Sequence, residues 1–113
     1  MTIELIHGDC EIELDNVADK SVNLIVIDPP YNIGKDTWDK WKKKQDYIDF
    51  MGRVFLKLQA KLKDNGSFYF FHNDMEQIAD LMLWIRNNTR FVFKQFIPDN
   101  HLLEYKPRII SNP

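Results

Sequence analysis

Residues 22–27, VNLIVI, run directly into Asp28-Pro29-Pro30-Tyr31. A short, apolar, β-branched run of this kind reads as a strand covered on both faces in a parallel sheet. Two successive prolines end such a strand, because neither carries an N–H for a neighbouring ladder and each has its φ angle fixed. The chain must therefore turn at residues 28–31, with a carboxylate and an aromatic ring held side by side on a stiff backbone.

The flanking pattern predicts what surrounds that turn. Residues 3–7 read as a strand closed by Gly8 and Asp9, and residues 11–16 as a short helix. Between residues 45 and 63, Ile48, Met51, Val54, Phe55, Leu58 and Leu62 recur at helical spacing. Asn65-Gly66 is expected to cap the end of that helix, with glycine supplying a left-handed residue. Residues 67–71, SFYFF, predict a strand; Asn73 and Glu76 predict a capping box. Met75, Ile78, Ala79, Met82 and Ile85 give a second helical stripe, and residues 91–97 a fourth strand. Residues 32–41 read as a loop, and no pattern emerges after Pro98. This order predicts an α/β fold: a mostly parallel sheet with flanking helices. In such sheets ligands sit beyond the carboxyl ends of the strands. Asp9, the Asp28–Tyr31 segment and His72-Asn73 all fall on that rim.

The 113 residues suit one small domain, and a net charge of −2 means that any nucleic-acid contact must come from a local patch. Lys40, Lys42, Lys43 and Lys44 form one basic cluster; phosphate contact is one reading, and a solvated helix entrance is the commoner one. The single cysteine, Cys10, excludes an internal disulfide, and no Cys/His spacing suggests a metal. On packing grounds it is expected to be a small buried residue. There is no signal-peptide pattern and no apolar run of membrane-spanning length, so the expectation is a cytoplasmic protein without a membrane partner. At its strand end, His72 is a candidate general base, although a capping or packing role is the commoner use.

The chemistry available at residues 28–31 is specific. An exocyclic amine on adenine or cytosine is a poor nucleophile, because its lone pair is delocalised into the ring. Acceptors aimed at its hydrogens favour a pyramidal nitrogen and stabilise the charge that develops during attack on a methyl sulfonium. Asp28 offers a carboxylate, Pro29 a backbone carbonyl, and Tyr31 a face on which a flipped base can stack.

IHGDC, SVNLIVIDPPYNIGKDTW and LKDNGSFYFFHND together resemble the β-class DNA amino-methyltransferases, which methylate adenine N6 or cytosine N4. The resemblance runs from about residue 3 to 97 and implies part of the S-adenosylmethionine-dependent methyltransferase fold. It assigns Asp28, Pro29, Pro30 and Tyr31 to catalysis and Asp9, Cys10, Asp28 and Pro30 to cofactor binding. Asn32, Lys35 and Trp38 match a loop that follows the catalytic motif and is available for DNA contact. An Asp at the head of the motif is similar to the adenine-N6 enzymes, whereas cytosine-N4 enzymes more often begin with Ser. The implied function is site-specific DNA adenine-N6 methylation. The alternatives are an RNA or cytosine-N4 amino-methyltransferase, or a non-catalytic remnant or interaction subunit.

One part of the family pattern is missing. None of the four glycines, Gly8, Gly34, Gly52 and Gly66, lies in a Phe-x-Gly-x-Gly turn. The expectation is an incomplete chain, with residues 1–97 as the catalytic-motif part and 98–113 as a divergent or truncated tail. It would form a partial sheet with exposed apolar faces, inactive alone, with DNA as substrate and a second polypeptide or further copies of itself as candidate partners.

Overall fold

The computed structural model describes residues 10–30 and 43–108. The predicted strand at residues 3–7, with Asp9, lies outside the described residues, as do Tyr31, the loop at 32–41, Lys40 and Lys42. The elements run α1 (Cys10–Glu13), a 3₁₀ turn (Leu14–Asn16), β1 (Val22–Ile27), α2 (Lys44–Lys61), β2 (Leu62–Phe71), α3 (Met75–Asn88), β3 (Phe91–Ile97), a 3₁₀ turn (Pro98–Asn100) and β4 (Leu102–Pro107). The sheet order is β1-β2-β4-β3. β1 pairs parallel with β2, and β4 lies antiparallel between β2 and β3. Three strands therefore point one way and one opposes them.

β4 is a correction. Residues 102–107, which carry no strand pattern of their own, form a strand in the interior of the four-stranded order. Its sequence, LLEYKP, mixes a Glu and a Lys into the run, and its identity as a strand comes from its two neighbours.

One face of the sheet carries the core. Ile25, Phe68, Phe70, Leu103 and Tyr105 pack there against Ile48, Met51, Phe55 and Leu58 of α2 and Ile78, Leu81 and Ile85 of α3. The Phe55 ring sits 5.8 Å from Phe68 and 5.5 Å from Phe70, and Phe70 stacks on Tyr105 at 6.2 Å. The α2 stripe matches the helical spacing, with Tyr47 added to it. The α3 stripe matches in part: Ile78 and Ile85 are buried and Met82 packs against the core, whereas Met75 and Ala79 are exposed and Gln77 and Leu81 face inward instead. Trp84 of α3 lies over Gly52 of α2, where a Cβ would come within 2.4 Å of the indole. That glycine lets the two helices approach.

The Asn65-Gly66 reading is also corrected. α2 stops at Lys61 with Leu62 as an extended C-cap, and residues 65–66 lie inside β2. Val22 pairs with Leu62 and Leu24 with Ser67, so β2 bulges between those points. A Cβ on Gly66 would meet the Asn23 carbonyl oxygen at 3.0 Å and Leu62 at 2.6 Å. Close backbone approach, not a left-handed cap, requires this glycine.

The expectation that β1 is covered on both faces fails on one of them. Leu24 and Val26 are 57% and 53% exposed. The expected partial sheet with exposed apolar surface is what the described residues form. The segment preceding β1 lies on the helix side, where Arg53, Lys57 and Lys61 of α2 pair with Glu11, Asp15 and Asp19. Among the described residues, no helix is long and apolar enough to cross a membrane.

Candidate functional site

β1 ends at Ile27, opposite Phe70 of the parallel β2, so the two strands reach the same rim. Asp28 follows, exposed, with Pro29 and Pro30 half-buried beneath it. His72 follows β2 on the same rim, fully buried. The rim placement read from the sequence thus holds for Asp28, Pro29, Pro30 and His72. Asp9, Tyr31, Asn32, Lys35 and Trp38 lie outside the described residues.

Two buried rings connect these strand ends. The Tyr47 hydroxyl donates to the Pro30 carbonyl at 2.6 Å and lies 2.9 Å from His72 Nε2. The Asp74 backbone N–H donates to His72 Nδ1 at 3.2 Å. An Nδ1 that accepts leaves the proton of a neutral imidazole on Nε2. His72 Nε2–H then donates to the Tyr47 oxygen, whose own proton goes to Pro30. The backbone N–H of His72 is held by the His101 carbonyl at 3.1 Å, just before β4. His72 therefore joins a structural hydrogen-bond chain, in line with the packing role and not with a general base.

Tyr47 belongs to none of the motifs that mark the site in the sequence. Its signal was available: it precedes Ile48 on the buried face of α2, and a buried tyrosine hydroxyl needs a partner. The capping box is displaced by one residue. Asp74, not Asn73, caps α3, and its carboxylate accepts from the Gln77 N–H at 3.0 Å. That backbone hydrogen bond holds the Asp74 carboxyl below its ordinary pKa.

The basic cluster is partly neutralised. Lys44 pairs with Glu76 and Asp80 of α3, each at 2.8 Å, and the hydrogen bonds it donates, first to Asp80 and then to Glu76, raise its pKa. Lys43 is exposed at the N-cap of α2. Cys10, expected to be buried, is exposed at the start of α1. A groove of about 720 Å³ lined by Met82, Leu83, Arg86, Phe91 and Arg108 lies at the opposite edge of the sheet, by the start of β3. It is remote from the Asp28 turn.

The family model described as "DNA methylase" (N6_N4_Mtase) matches residues 22–107. The chain belongs to the N6/N4 DNA methylase family. The match spans β1, the Asp28-Pro29-Pro30-Tyr31 motif and every later strand, β4 included. The Moraxella bovis type II methyltransferase M1.MboII is 41% identical over 73 residues, covering 64% of this chain and 28% of that protein. The DNA adenine methyltransferase YhdJ of Escherichia coli K12 is 39% identical over 72 residues, covering 61% of this chain and 24% of that protein. The chain thus spans about a quarter of the length of these relatives. Among solved structures, the PvuII DNA methyltransferase (cytosine-N4-specific) superposes with a TM-score of 0.65 at 15% identity, over 88% of this chain and 47% of that one. TTHA0409 from Thermus thermophilus gives 0.61 at 19% identity, over 94% and 55%. At these identities the likeness concerns the fold, and it marks this sheet as part of the methyltransferase fold.

Proposed function

We propose that this chain is the catalytic-motif part of a DNA adenine-N6 methyltransferase. One observation carries the reading: Asp28 heads an Asp-Pro-Pro-Tyr motif and stands exposed at the carboxyl end of a parallel strand. The name of the E. coli relative favours adenine over cytosine. In this reading Asp28, Pro29, Pro30 and Tyr31 form the target pocket. The Asp28 carboxylate accepts a hydrogen bond from the exocyclic amine of a flipped adenine and stabilises the charge developing on nitrogen. The Pro29 carbonyl accepts the second N–H, and the Tyr31 ring stacks on the base.

An exposed carboxylate beside a carbonyl-rich, N–H-poor turn also suits a cationic cofactor. Asp28 and Pro30, with Asp9 and Cys10, would hold S-adenosylmethionine. When bound, that cofactor supplies the methyl group. Asn32, Lys35 and Trp38 are assigned to the DNA side of the pocket. Residues 1–97 act as the catalytic-motif part, and 98–113 are a divergent or truncated tail, of which residues 102–107 form β4. The glycine-rich cofactor turn comes from a further segment, in the same polypeptide or in a partner, and the protein works on DNA in the cytoplasm.

Product analysis tests the reading. Unmethylated DNA is incubated with labelled cofactor and the protein reconstituted with the segment that supplies the glycine-rich turn, and is then digested to nucleosides. The expected label is in N6-methyladenine. Label in N4-methylcytosine alone would overturn the choice of base.

A further inference from the structure

We infer that Tyr47 and His72 are positioning residues for the catalytic turn, acting through the Pro30 carbonyl; this deepens the methyltransferase reading and rests on it. The hydrogen bonds run in one sense: Asp74 N–H to His72 Nδ1, His72 Nε2–H to Tyr47, Tyr47 O–H to Pro30 O. Each donor along such a chain is strengthened by the bond behind it. Both rings are 0% exposed, so water does not compete for these groups.

The geometry makes the carbonyl the point of control. Prolines fix φ at residues 29 and 30, but neither fixes ψ. The remaining freedom at Pro30 is the rotation that swings its carbonyl and, with it, the planar peptide unit leading to residue 31. A hydroxyl at 2.6 Å on that oxygen fixes this rotation. The anchor is itself rigid. Tyr47 is in the first turn of α2, and His72 is held through its own backbone by residue 101 and through its ring by the capping residue of α3. The turn that follows β1 is thereby referenced to α2, β2, β4 and α3 at once. In the proposed reaction, that linkage keeps Asp28 and Tyr31 in the relative placement that transfer requires.

The test pairs a structural readout with a kinetic one. Tyr47→Phe deletes only the hydroxyl, and His72→Gln keeps an N–H donor where His72→Leu removes it. In the labelled 113-residue chain, Tyr47→Phe is expected to move the Pro30 carbonyl resonance and the neighbouring resonances of residues 28–31, leaving the core unchanged. His72 nitrogen shifts in the unsubstituted chain are expected to report an Nε2–H tautomer. In the protein assayed together with whatever segment supplies the glycine-rich cofactor turn, Tyr47→Phe and His72→Leu are expected to lower kcat about ten-fold with little change in KM for S-adenosylmethionine, less than the roughly 100-fold that a full misplacement of about 1 Å costs. His72→Gln is expected to recover part of that loss. Unmoved resonances at 28–31, an Nδ1–H tautomer, or a purely KM effect would each overturn the inference. Absence of methyl transfer by the unsubstituted enzyme would instead overturn the methyltransferase reading, and the positioning role would then be decided by the resonances alone. A variant that fails to fold shows itself in the core resonances, and the other substitutions then decide.

Discussion

Two rows of side chains cross the sheet one residue apart and meet opposite fates. Ile27, Phe70, Leu103 and Phe96 form one row; Val26, Tyr69, Glu104 and Gln95 form the next. The first row belongs to the core or packs against it beneath α2 and α3. The second is apolar only at β1, where Val26 is 53% exposed, and becomes a polar ladder farther in. Tyr69 donates to Glu104 at 3.0 Å, and Gln95 donates to its other oxygen at 2.7 Å. The strands are the same, and only the period-two alternation separates the rows. The covered face determines the fold of this chain, while the open face keeps apolar surface at β1, beside the Asp28 turn.

Truncation should separate the two rows most sharply. Phe70→Ala is expected to cost about 3–5 kcal/mol in urea unfolding, as large-to-small core changes do. Val26→Thr, one residue out of phase on β1, should stay within about 0.5 kcal/mol. Comparable costs would mean that the open face is covered in solution. A smaller effect tests the helix side of the covered face. Gly52→Ala gains helix propensity of about 1 kcal/mol but forces the Trp84 indole aside, and overpacking costs about 1–3 kcal/mol. A net loss of about 1 kcal/mol is expected by thermal unfolding, and a gain would show that the helices have room to part.

The smallest effect concerns the polar ladder. The Gln95 amide, followed by the Tyr69 hydroxyl, holds the Glu104 carboxyl below its ordinary pKa of 4.5. A depressed pKa in the fold gives stability that is present above the unfolded value and lost as pH falls through the folded one. Wild-type stability should therefore decline below about pH 4.5, and Glu104→Gln should flatten part of that decline. An unchanged acid limb in the variant would mean that the ladder contributes nothing to the open face.

Much of this architecture is legible in the sequence. β1, α2, the start of α3 and β3 follow from periodicity and from the prolines after Ile27, because a single segment carries the whole signal. β4 is not legible: Glu104 and Lys106 interrupt its apolar run, and only pairing with β2 and β3 makes it a strand. Gly66 is misleading because its local context, Asn-Gly after a helix, looks like a cap, whereas the requirement comes from the Leu62 side chain and the Asn23 carbonyl packed against it. At the site, the pattern places Asp28, Pro29 and Pro30 correctly on the rim. The link from Pro30 through Tyr47 to His72 spans residues 30, 47 and 72, and no local pattern joins positions so far apart.

The turn at Asp28 is where the chemistry is expected to reside. Single-turnover transfer from labelled S-adenosylmethionine to unmethylated DNA, by the protein assayed together with whatever segment supplies the glycine-rich cofactor turn, with and without Asp28→Ala, tests this most directly. Losing one preorganised hydrogen-bonding group from an electrostatic site, measured for oxyanion-hole donors, costs on the order of 100–1,000-fold. A loss of at least that size in the transfer step, with DNA binding retained, is the predicted result; transfer at an unchanged rate in Asp28→Ala would contradict it.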